Sequence, residues 1–267
     1  SVVKGFLAAN PQAQENWLLH SVLGGLYERT MQHDQAKSER QMAIGILQKL
    51  IDDGSKEVEV HRYLASLLRT EKRYDEALRL VNKAMSLPSD DDMAARDLHF
   101  LLAEIYYETQ QEDLCEKELR KVLEYGPDWP TANNFLGYFY AERGKHLDEA
   151  ERLIEKALKA EPDNGAYLDS LGWVWYRQAM QDNDSAKVKR ALDKLKEASS
   201  KYDDPVIREH IGDVYHGMGD LDKAEVEWRK SLQLWERRPN EPPGPDGVRH
   251  KLEQLLKLKT AGKKDEK

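Results

Sequence analysis

The side chains with the clearest chemical potential are a run of carboxylates, a single cysteine and eight histidines. The run Ser89-Asp90-Asp91-Asp92 places three consecutive acids beside a hydroxyl. Such oxygen ligands suit a hard cation. They are equally typical of a helix N-terminus, where Ser and Asp accept hydrogen bonds from free backbone N–H groups. No further cluster of ligands lies nearby in the sequence, so we favour the helix N-terminus over a metal site.

Cysteine and histidine chemistry is also better explained by packing. Cys115 stands where similar segments of the chain have alanine. This predicts a small buried residue between two helices rather than a nucleophile. His20, His61 and His99 recur at one position of three similar segments, which predicts packing and hydrogen bonding between those segments. The sequence contains no phosphate-binding glycine loop, nucleophile elbow, cysteine pair or His-Glu metal motif. We therefore predict neither a cofactor nor enzymatic activity.

Composition and net charge limit the kinds of partner that the chain is expected to bind. The net charge is -8 and the pI about 5.6, so a surface that follows phosphates is not expected and nucleic acid is an unfavourable partner. The sequence has no apolar run near the roughly 20 residues needed to span a bilayer. Charged residues make up 34% of the chain, and mean hydropathy is -0.79. This balance favours a helical array with a large surface over a compact enzyme with one thick core.

The elements that position these side chains are repeated. Leu136-Gly137 followed by Tyr140 returns as Leu171-Gly172 followed by Trp175. The intervening segment has small and apolar residues at helical spacing. They are Ala150, Ile154, Ala157 and Pro162. A unit of this size cannot bury its own apolar face, so it must stack on further copies of itself. In each repeat, the first helix is helix A and the second is helix B.

Six repeats are predicted, with flanking segments at both ends. Residues 1–16 are expected to be the second helix of a repeat whose first helix is missing. The six repeats cover residues 17–57, 58–95, 96–129, 130–164, 165–204 and 205–238. Residues 239–245 form a proline-rich linker, 246–260 a capping helix and 261–267 a disordered tail.

Two repeats are about seven residues longer than the others. In the first, a register without an insertion would line helix B with Ala36, Arg40 and Ala43, and would bury the arginine. We therefore predict two extra helical turns in this hairpin, so that Ala43, Leu47 and Leu50 line helix B. In the fifth repeat the polar residues 181–189 are predicted to project into solvent as a lengthened hairpin.

The pattern of Leu-Gly in helix A, an aromatic three residues later, Ala-x3-apolar-x2-Ala in helix B and then Pro resembles the tetratricopeptide repeat. The resemblance covers about residues 17–238. It implies an all-α, right-handed superhelix of about six helix pairs, with a concave groove lined by the A helices and a C-terminal capping helix. The wording of residues 136–173 also resembles bacterial envelope proteins, among them outer-membrane lipoprotein adaptors that deliver substrates to a periplasmic carboxyl-terminal processing protease. That likeness implies a soluble protein of the periplasm or the outer membrane.

The resemblance also implies which residues face the groove and bind a partner peptide or helix. These are Phe100, Glu104, Tyr107, Asn134, Tyr138, Glu142, Asp169, Trp173, Tyr176, Arg177, Asp213 and His216. The mixture of aromatics and acids favours a basic or amide-rich partner. Trp173 is expected to be exposed, since Leu171 and Trp175 already fill the packing positions. Replacing Trp173 and Tyr138 by alanine should therefore weaken partner binding without affecting helicity or melting.

The sequence also fits an alternative function of a different class. The chain could be a structural assembly or oligomerisation subunit that uses the array ends and the lengthened first and fifth hairpins, with an empty groove. Deleting residues 181–187 and measuring the oligomer mass by light scattering would separate the two. The oligomeric state itself is not indicated by the sequence.

Overall fold

The computed structural model describes residues 15–238 and 244–265, with side chains described as far as residue 259. These residues form thirteen helices and no strand. The helices are α1 (Trp17–Arg29), α2 (His33–Asp52), α3 (Val58–Thr70), α4 (Tyr74–Met85), α5 (Asp92–Glu108), α6 (Glu112–Tyr125), α7 (Pro130–Arg143), α8 (Leu147–Ala160), α9 (Gly165–Asp182), α10 (Ser185–Lys201), α11 (Pro205–Gly217), α12 (Leu221–Trp235) and α13 (Asp246–Asp265). The predicted all-α fold is confirmed. Residues 1–14 of the predicted truncated helix and residues 239–243 of the predicted linker lie outside the described residues.

The chain divides into two compact bodies, Ser1–Pro127 and Asp128–Lys267. The first body contains α1 to α6 and the second α7 to α13. Within each body, consecutive helices pack as hairpins. Five of the six hairpins lie inside the limits of one predicted repeat, whereas the third begins at Asp92, before the predicted start at residue 96. None of the described helices has both the length and the apolar character needed to cross a membrane.

Helices A and B approach most closely at a small residue of helix A. A Cβ atom added to Gly137 of α7 would lie 2.6 Å from Ile154 Cγ1 and 2.9 Å from the carbonyl oxygen of Ala150. Ala150 and Ile154 have no exposed surface. Glycine is required here because two backbones meet, and the repeated Leu-Gly signature reflects this contact.

The prediction for the first repeat was wrong in register. The shorter alignment is the one observed: Ala36 and Ala43 are fully buried, and Gly24 of α1 faces Ala36 and Arg40. Arg40 is tolerated because its guanidinium pairs with Glu28 at 2.9 Å and Glu71 at 2.8 Å. The extra residues extend the C-terminal end of α2 instead of the turn between α1 and α2.

The fifth repeat is lengthened as predicted. Both α9 and α10 extend, and a short turn at Asn183 and Asp184 joins them. Asn183 adopts a left-handed conformation at φ 54, and the Asp184 side chain caps α10. Residues 181–186 are all exposed, so the tip of this hairpin projects into solvent.

The described hydrogen bonds of His20, His61 and His99 lie within their own repeats, and packing between repeats stays a prediction. His20 Nδ1 lies 2.6 Å from Glu39 Oε2, and His99 Nδ1 lies 2.5 Å from Glu118 Oε2, in each case across one hairpin. His61 Nδ1 lies 2.9 Å from the carbonyl oxygen of Glu57 in the turn before it. Each ring therefore has a hydrogen-bond partner within its own repeat.

Two further predictions are confirmed. Asp91 is the N-cap of α5, and its carboxylate accepts from the backbone N–H of Met93 at 2.8 Å. Cys115 is fully buried in α6. Both residues thus have structural roles that their sequence context explains.

The C-terminal helix is longer than predicted. Val248, Leu252 and Leu255 are buried, and Val248 and Leu255 join Trp228 and Trp235 in one apolar cluster. This confirms the packing face expected of a capping helix. The helix runs to Asp265 rather than ending near 260, so the predicted tail is helical over 261–265. Residues 266 and 267 lie outside the described residues.

Candidate partner-binding site

In the first body the predicted groove residues lie on α5. Phe100, Glu104 and Tyr107 are all partly exposed. The Glu104 carboxylate lies 3.2 Å from the Arg69 guanidinium, which bonds more closely to Glu108 at 2.7 Å. Burial raises the pKa of Glu104 to about 7, with Arg69 lowering it and Glu108 raising it further. The stronger Glu108 contact leaves Glu104 as the poorly compensated acid of this group.

This raised pKa predicts a pH-dependent stability. Between the ordinary glutamate pKa of 4.5 and about 7, the folded state holds a proton that the unfolded state has lost. Its contribution to folding is therefore present in acid and is lost as pH rises through this range. We expect Glu104→Gln to raise the free energy of unfolding near pH 8 by about 1–3 kcal/mol and to change it little near pH 4.

Urea unfolding followed by circular dichroism between pH 4 and pH 8 measures this difference. The exposed Glu124 on α6 supplies the control, since Glu124→Gln should leave the pH profile unchanged. Parallel profiles for wild type and Glu104→Gln would show that Glu104 titrates normally.

In the second body, Trp173 on α9 is buried, with only 7% of its surface exposed. Its indole stacks on the His210 ring, with centroids 4.2 Å apart and planes 11° apart. Tyr176 packs beside it at 5.4 Å between centroids. The expectation of an exposed Trp173 without a packing role was wrong, because helix α11 supplies a histidine that covers the indole face. The Trp173 side chain is therefore packed in the interface between α9 and α11.

His210 is held in place by a second groove residue. Its Nδ1 lies 3.0 Å and 3.1 Å from the two oxygens of Asp169, and both residues are buried. Burial alone would lower the pKa of His210, but the charges of Asp169, Asp213 and Glu142 and the Asp169 hydrogen bond raise it overall. The Asp169 carboxylate is therefore already paired with His210 inside the protein.

The predicted residues of α7 form the neighbouring wall. Tyr138 is partly buried, with its ring 6.1 Å from that of His210. Asn134 is partly buried, and its side-chain oxygen has no hydrogen-bond partner among the described residues. Glu142 is exposed, and its backbone carbonyl accepts from Arg177 Nη1 at 3.1 Å. The rings of Tyr138 and Trp173 thus both lie beside that of His210, where the A helices α7, α9 and α11 pack together.

Helix α13 brings an unpredicted charge to this region. Lys251 Nζ lies 2.6 Å from Asp213 Oδ2 and 2.7 Å from Glu209 Oε1, both on α11. Burial by itself would lower the pKa of Lys251, but Asp213 and Glu209 raise it, so the ammonium stays charged. The other oxygen of Asp213 accepts from Trp228 Nε1 at 3.0 Å. Asp213, predicted to contact a partner, is already bonded on both sides.

An open pocket of about 480 Å³ lies where α9, α11 and α13 meet. It is lined by Trp173, Tyr176, Arg177, Met180, Asp213, His216, Trp228, Lys251, Gln254, Leu255 and Leu258. Five of these are predicted groove residues, namely Trp173, Tyr176, Arg177, Asp213 and His216. Met180 and Leu258 are 51% and 61% exposed and give the pocket an apolar rim. The buried aromatics form its base, and the charged ends of Arg177 and Lys251 complete its lining.

Sequence reasoning missed four contributors to this region. Met180 and Leu258 lie outside the repeat pattern, although Leu258 is an apolar residue between two lysines. His210 and Lys251 act through partners 41 and 38 residues away in sequence. The lysines of the predicted capping helix gave no signal of their own in the sequence.

The tetratricopeptide repeat family model matches residues 130–164, the hairpin of α7 and α8. This hairpin is a tetratricopeptide repeat. With the repeated helix-A glycine contact and six hairpins, the chain has the fold of a tetratricopeptide repeat protein. Such folds generally serve as scaffolds for protein–protein interaction.

Comparisons with whole proteins agree. The chain is 38% identical over 119 residues to the TPR repeat-containing protein PA4667 of Pseudomonas aeruginosa. The match covers 44% of this chain and only 19% of that relative's length.

Among solved structures, a tetratricopeptide repeat protein from Parabacteroides merdae has a TM-score of 0.63 at 15% identity, covering 95% of this chain and 89% of its own. A chain of the APC/C hetero-tetramer Cut9-Hcn1 has a TM-score of 0.67 at 16% identity, covering 96% and 45%. TTC0263 of Thermus thermophilus, at 20% identity, has a TM-score of 0.57 and covers 75% and 99%. These identities are informative about the fold alone.

Proposed function

We propose that this tetratricopeptide repeat protein is a non-enzymatic interaction scaffold whose second body binds a peptide or helix of a partner protein in the pocket between α9, α11 and α13. The observation that carries the proposal is the combination of an open pocket, a rigid aromatic base and an exposed apolar rim. Aromatic side chains that are already fixed lose little entropy on binding, and central apolar anchors carry most of the energy at protein interfaces.

The predicted partner-binding residues divide into three groups under this proposal. Trp173, Tyr176, Arg177, Asp213 and His216 line the pocket. Asn134, Tyr138, Glu142 and Asp169 support or flank that wall, and Phe100, Glu104 and Tyr107 remain a separate candidate surface on α5. The partner is therefore expected to bind in a preformed pocket and not along a row of exposed side chains in the groove.

The adaptor role is a finer part of the proposal. Delivery of substrates to a carboxyl-terminal processing protease in the bacterial periplasm is proposed because the sequence of residues 136–173 resembles that of the bacterial envelope adaptors. The pocket is suited to it in a general sense, since it can hold one short segment of either substrate or protease. The alternative assembly role keeps only the fifth hairpin as a lengthened contact point, because the first is not lengthened at its turn.

An acidic residue on the pocket rim is expected to block binding. We expect Met180→Asp and Leu258→Asp each to weaken binding at least tenfold, since a carboxylate would replace an apolar anchor contact and tenfold corresponds to about 1.4 kcal/mol. The probe is a panel of labelled amphipathic helical peptides with a leucine stripe, measured by fluorescence anisotropy.

Met93 on α5 of the first body supplies a matched control, since it is 63% exposed and lies outside the pocket. Met93→Asp should leave the affinities unchanged. If no peptide of the panel binds, or if Met180→Asp and Met93→Asp have equal effects, the pocket is not the binding site.

A further inference from the structure

We infer that the partner segment carries a carboxylate beside its apolar anchor, and that Lys251 on α13 determines this preference. The inference rests on the proposed function and adds the chemistry of the bound segment. The inferred partner is acidic, whereas the sequence favoured a basic one. The reason is that the carboxylates of this region are already bonded to other groups of the same chain.

The carboxylates near the pocket are already bonded. Both oxygens of Asp213 are used, by Trp228 Nε1 and by Lys251 Nζ. Glu209 shares the same ammonium at 2.7 Å, and Asp169 is paired with His210. A basic partner would have to displace these contacts and desolvate the acids again. The pocket therefore offers no unpaired carboxylate from this set to a cation.

A cation in the pocket, by contrast, is still available. Arg177 is partly exposed and donates to the Glu142 carbonyl, and no carboxylate is paired with it within the part of the chain that the structure describes. A guanidinium has five N–H donors in a planar fork that matches a carboxylate. His216 is exposed on the same rim. Of the ionised side chains that line the pocket, Arg177 and Lys251 are positive and Asp213 is negative.

Lys251 is the residue that sets this balance. Without its ammonium, Asp213 and Glu209 would be left on α11 with only the Trp228 N–H to compensate them. Among the ionised residues that line the pocket, Arg177 would then be balanced by Asp213, and the net positive charge of the wall would be lost. A helix usually expected only to cap the array thus contributes a wall of the site and its charge preference.

The same helix offers a matched control. Lys259 also bridges two carboxylates, Asp222 and Glu225, each at 2.6 Å. Those acids lie on α12, and Lys259 does not line the pocket. Lys251→Met and Lys259→Met therefore remove similar ion pairs from α13, and only the first alters the pocket.

The experiment uses two labelled peptides with the same leucine stripe, one flanked by glutamates and one by lysines, and the full chain. We expect wild type to bind the glutamate peptide about tenfold more tightly. Lys251→Met should lose that preference or reverse it, Lys251→Arg should retain it, and Lys259→Met should behave like wild type. Binding should weaken with added salt. Circular dichroism and urea unfolding of both methionine variants report whether α13 stays packed.

Failure of this inference can be distinguished from failure of the proposed function. Equal affinity for both peptides, or preference for the lysine peptide, with binding still sensitive to Met180→Asp, would overturn the charge preference and leave the pocket in place. Equal effects of Lys251→Met and Lys259→Met on binding would overturn the role of Lys251. Binding that Met180→Asp does not change would overturn the pocket itself.

Discussion

Replacing Trp173 by alanine is expected to lower the free energy of unfolding by about 3 kcal/mol. The indole is buried, stacked on His210 and packed against Tyr176, so its removal leaves a cavity between α9 and α11. Truncation of a buried aromatic side chain typically costs about 3–5 kcal/mol, and we take the lower end because the pocket opens onto this wall. The stack also positions His210, so partner binding should fall together with stability.

Urea unfolding followed by circular dichroism measures the loss. Trp173→Phe is the matched control, because it keeps a stacked ring and Trp173 Nε1 has no hydrogen-bond partner in the described structure that the change would remove. It should cost much less than alanine. A Trp173→Ala protein that melts like wild type would contradict the packed wall and restore the exposed tryptophan expected from the sequence.

Replacing Gly137 by alanine is expected to destabilise the hairpin of α7 and α8 by about 1–3 kcal/mol. The new Cβ would lie 2.9 Å from the Ala150 carbonyl oxygen and 2.6 Å from Ile154 Cγ1, both fully buried. A backbone atom cannot rotate away, so the two helices must separate. This cost exceeds the gain of up to about 1 kcal/mol in helix propensity.

Gly24 of α1 occupies the same repeat position and provides the control. Its nearest neighbours would lie 3.4 Å from an added Cβ, which is an ordinary contact. Gly24→Ala should therefore be neutral or stabilising by up to about 1 kcal/mol in the same urea experiment. Equal losses for both variants would show that the close approach at Gly137 does not limit the packing of its hairpin.

The fold could be predicted because its signals are local and repeated. The helix-A glycine, the helix-B alanines and the N-cap at Asp91 each act within one hairpin or one turn. The predicted register of the first helix B was wrong because a charged residue, Arg40, was not expected to be buried. Glu28 and Glu71 compensate its charge there, and Glu71 is 31 residues further along the chain. Hydrophobic pattern alone cannot anticipate such a partner.

The site was only partly predictable for the same reason. The repeat pattern predicted Trp173, Tyr176, Arg177, Asp213 and His216 as groove-facing residues, because it indicates which side of helix A they occupy, and all five line the pocket. Their state depends on contacts between helices of different repeats. The stack on His210 and the ion pairs of Lys251 follow from how α11 and α13 pack on their neighbours, which a periodic sequence does not encode in any single repeat.

Site-specific photocrosslinking tests the central claim most directly. A photoreactive amino acid is placed at Met180 or Leu258 in the pocket, and at Met93 as the matched exposed position, in the protein expressed in its native host. We predict that both pocket positions crosslink to the same partner segment, that this segment joins an apolar side chain to a carboxylate, and that the corresponding synthetic peptide competes for binding to wild type. Crosslinks shared equally with Met93, or none specific to the pocket, would contradict the account.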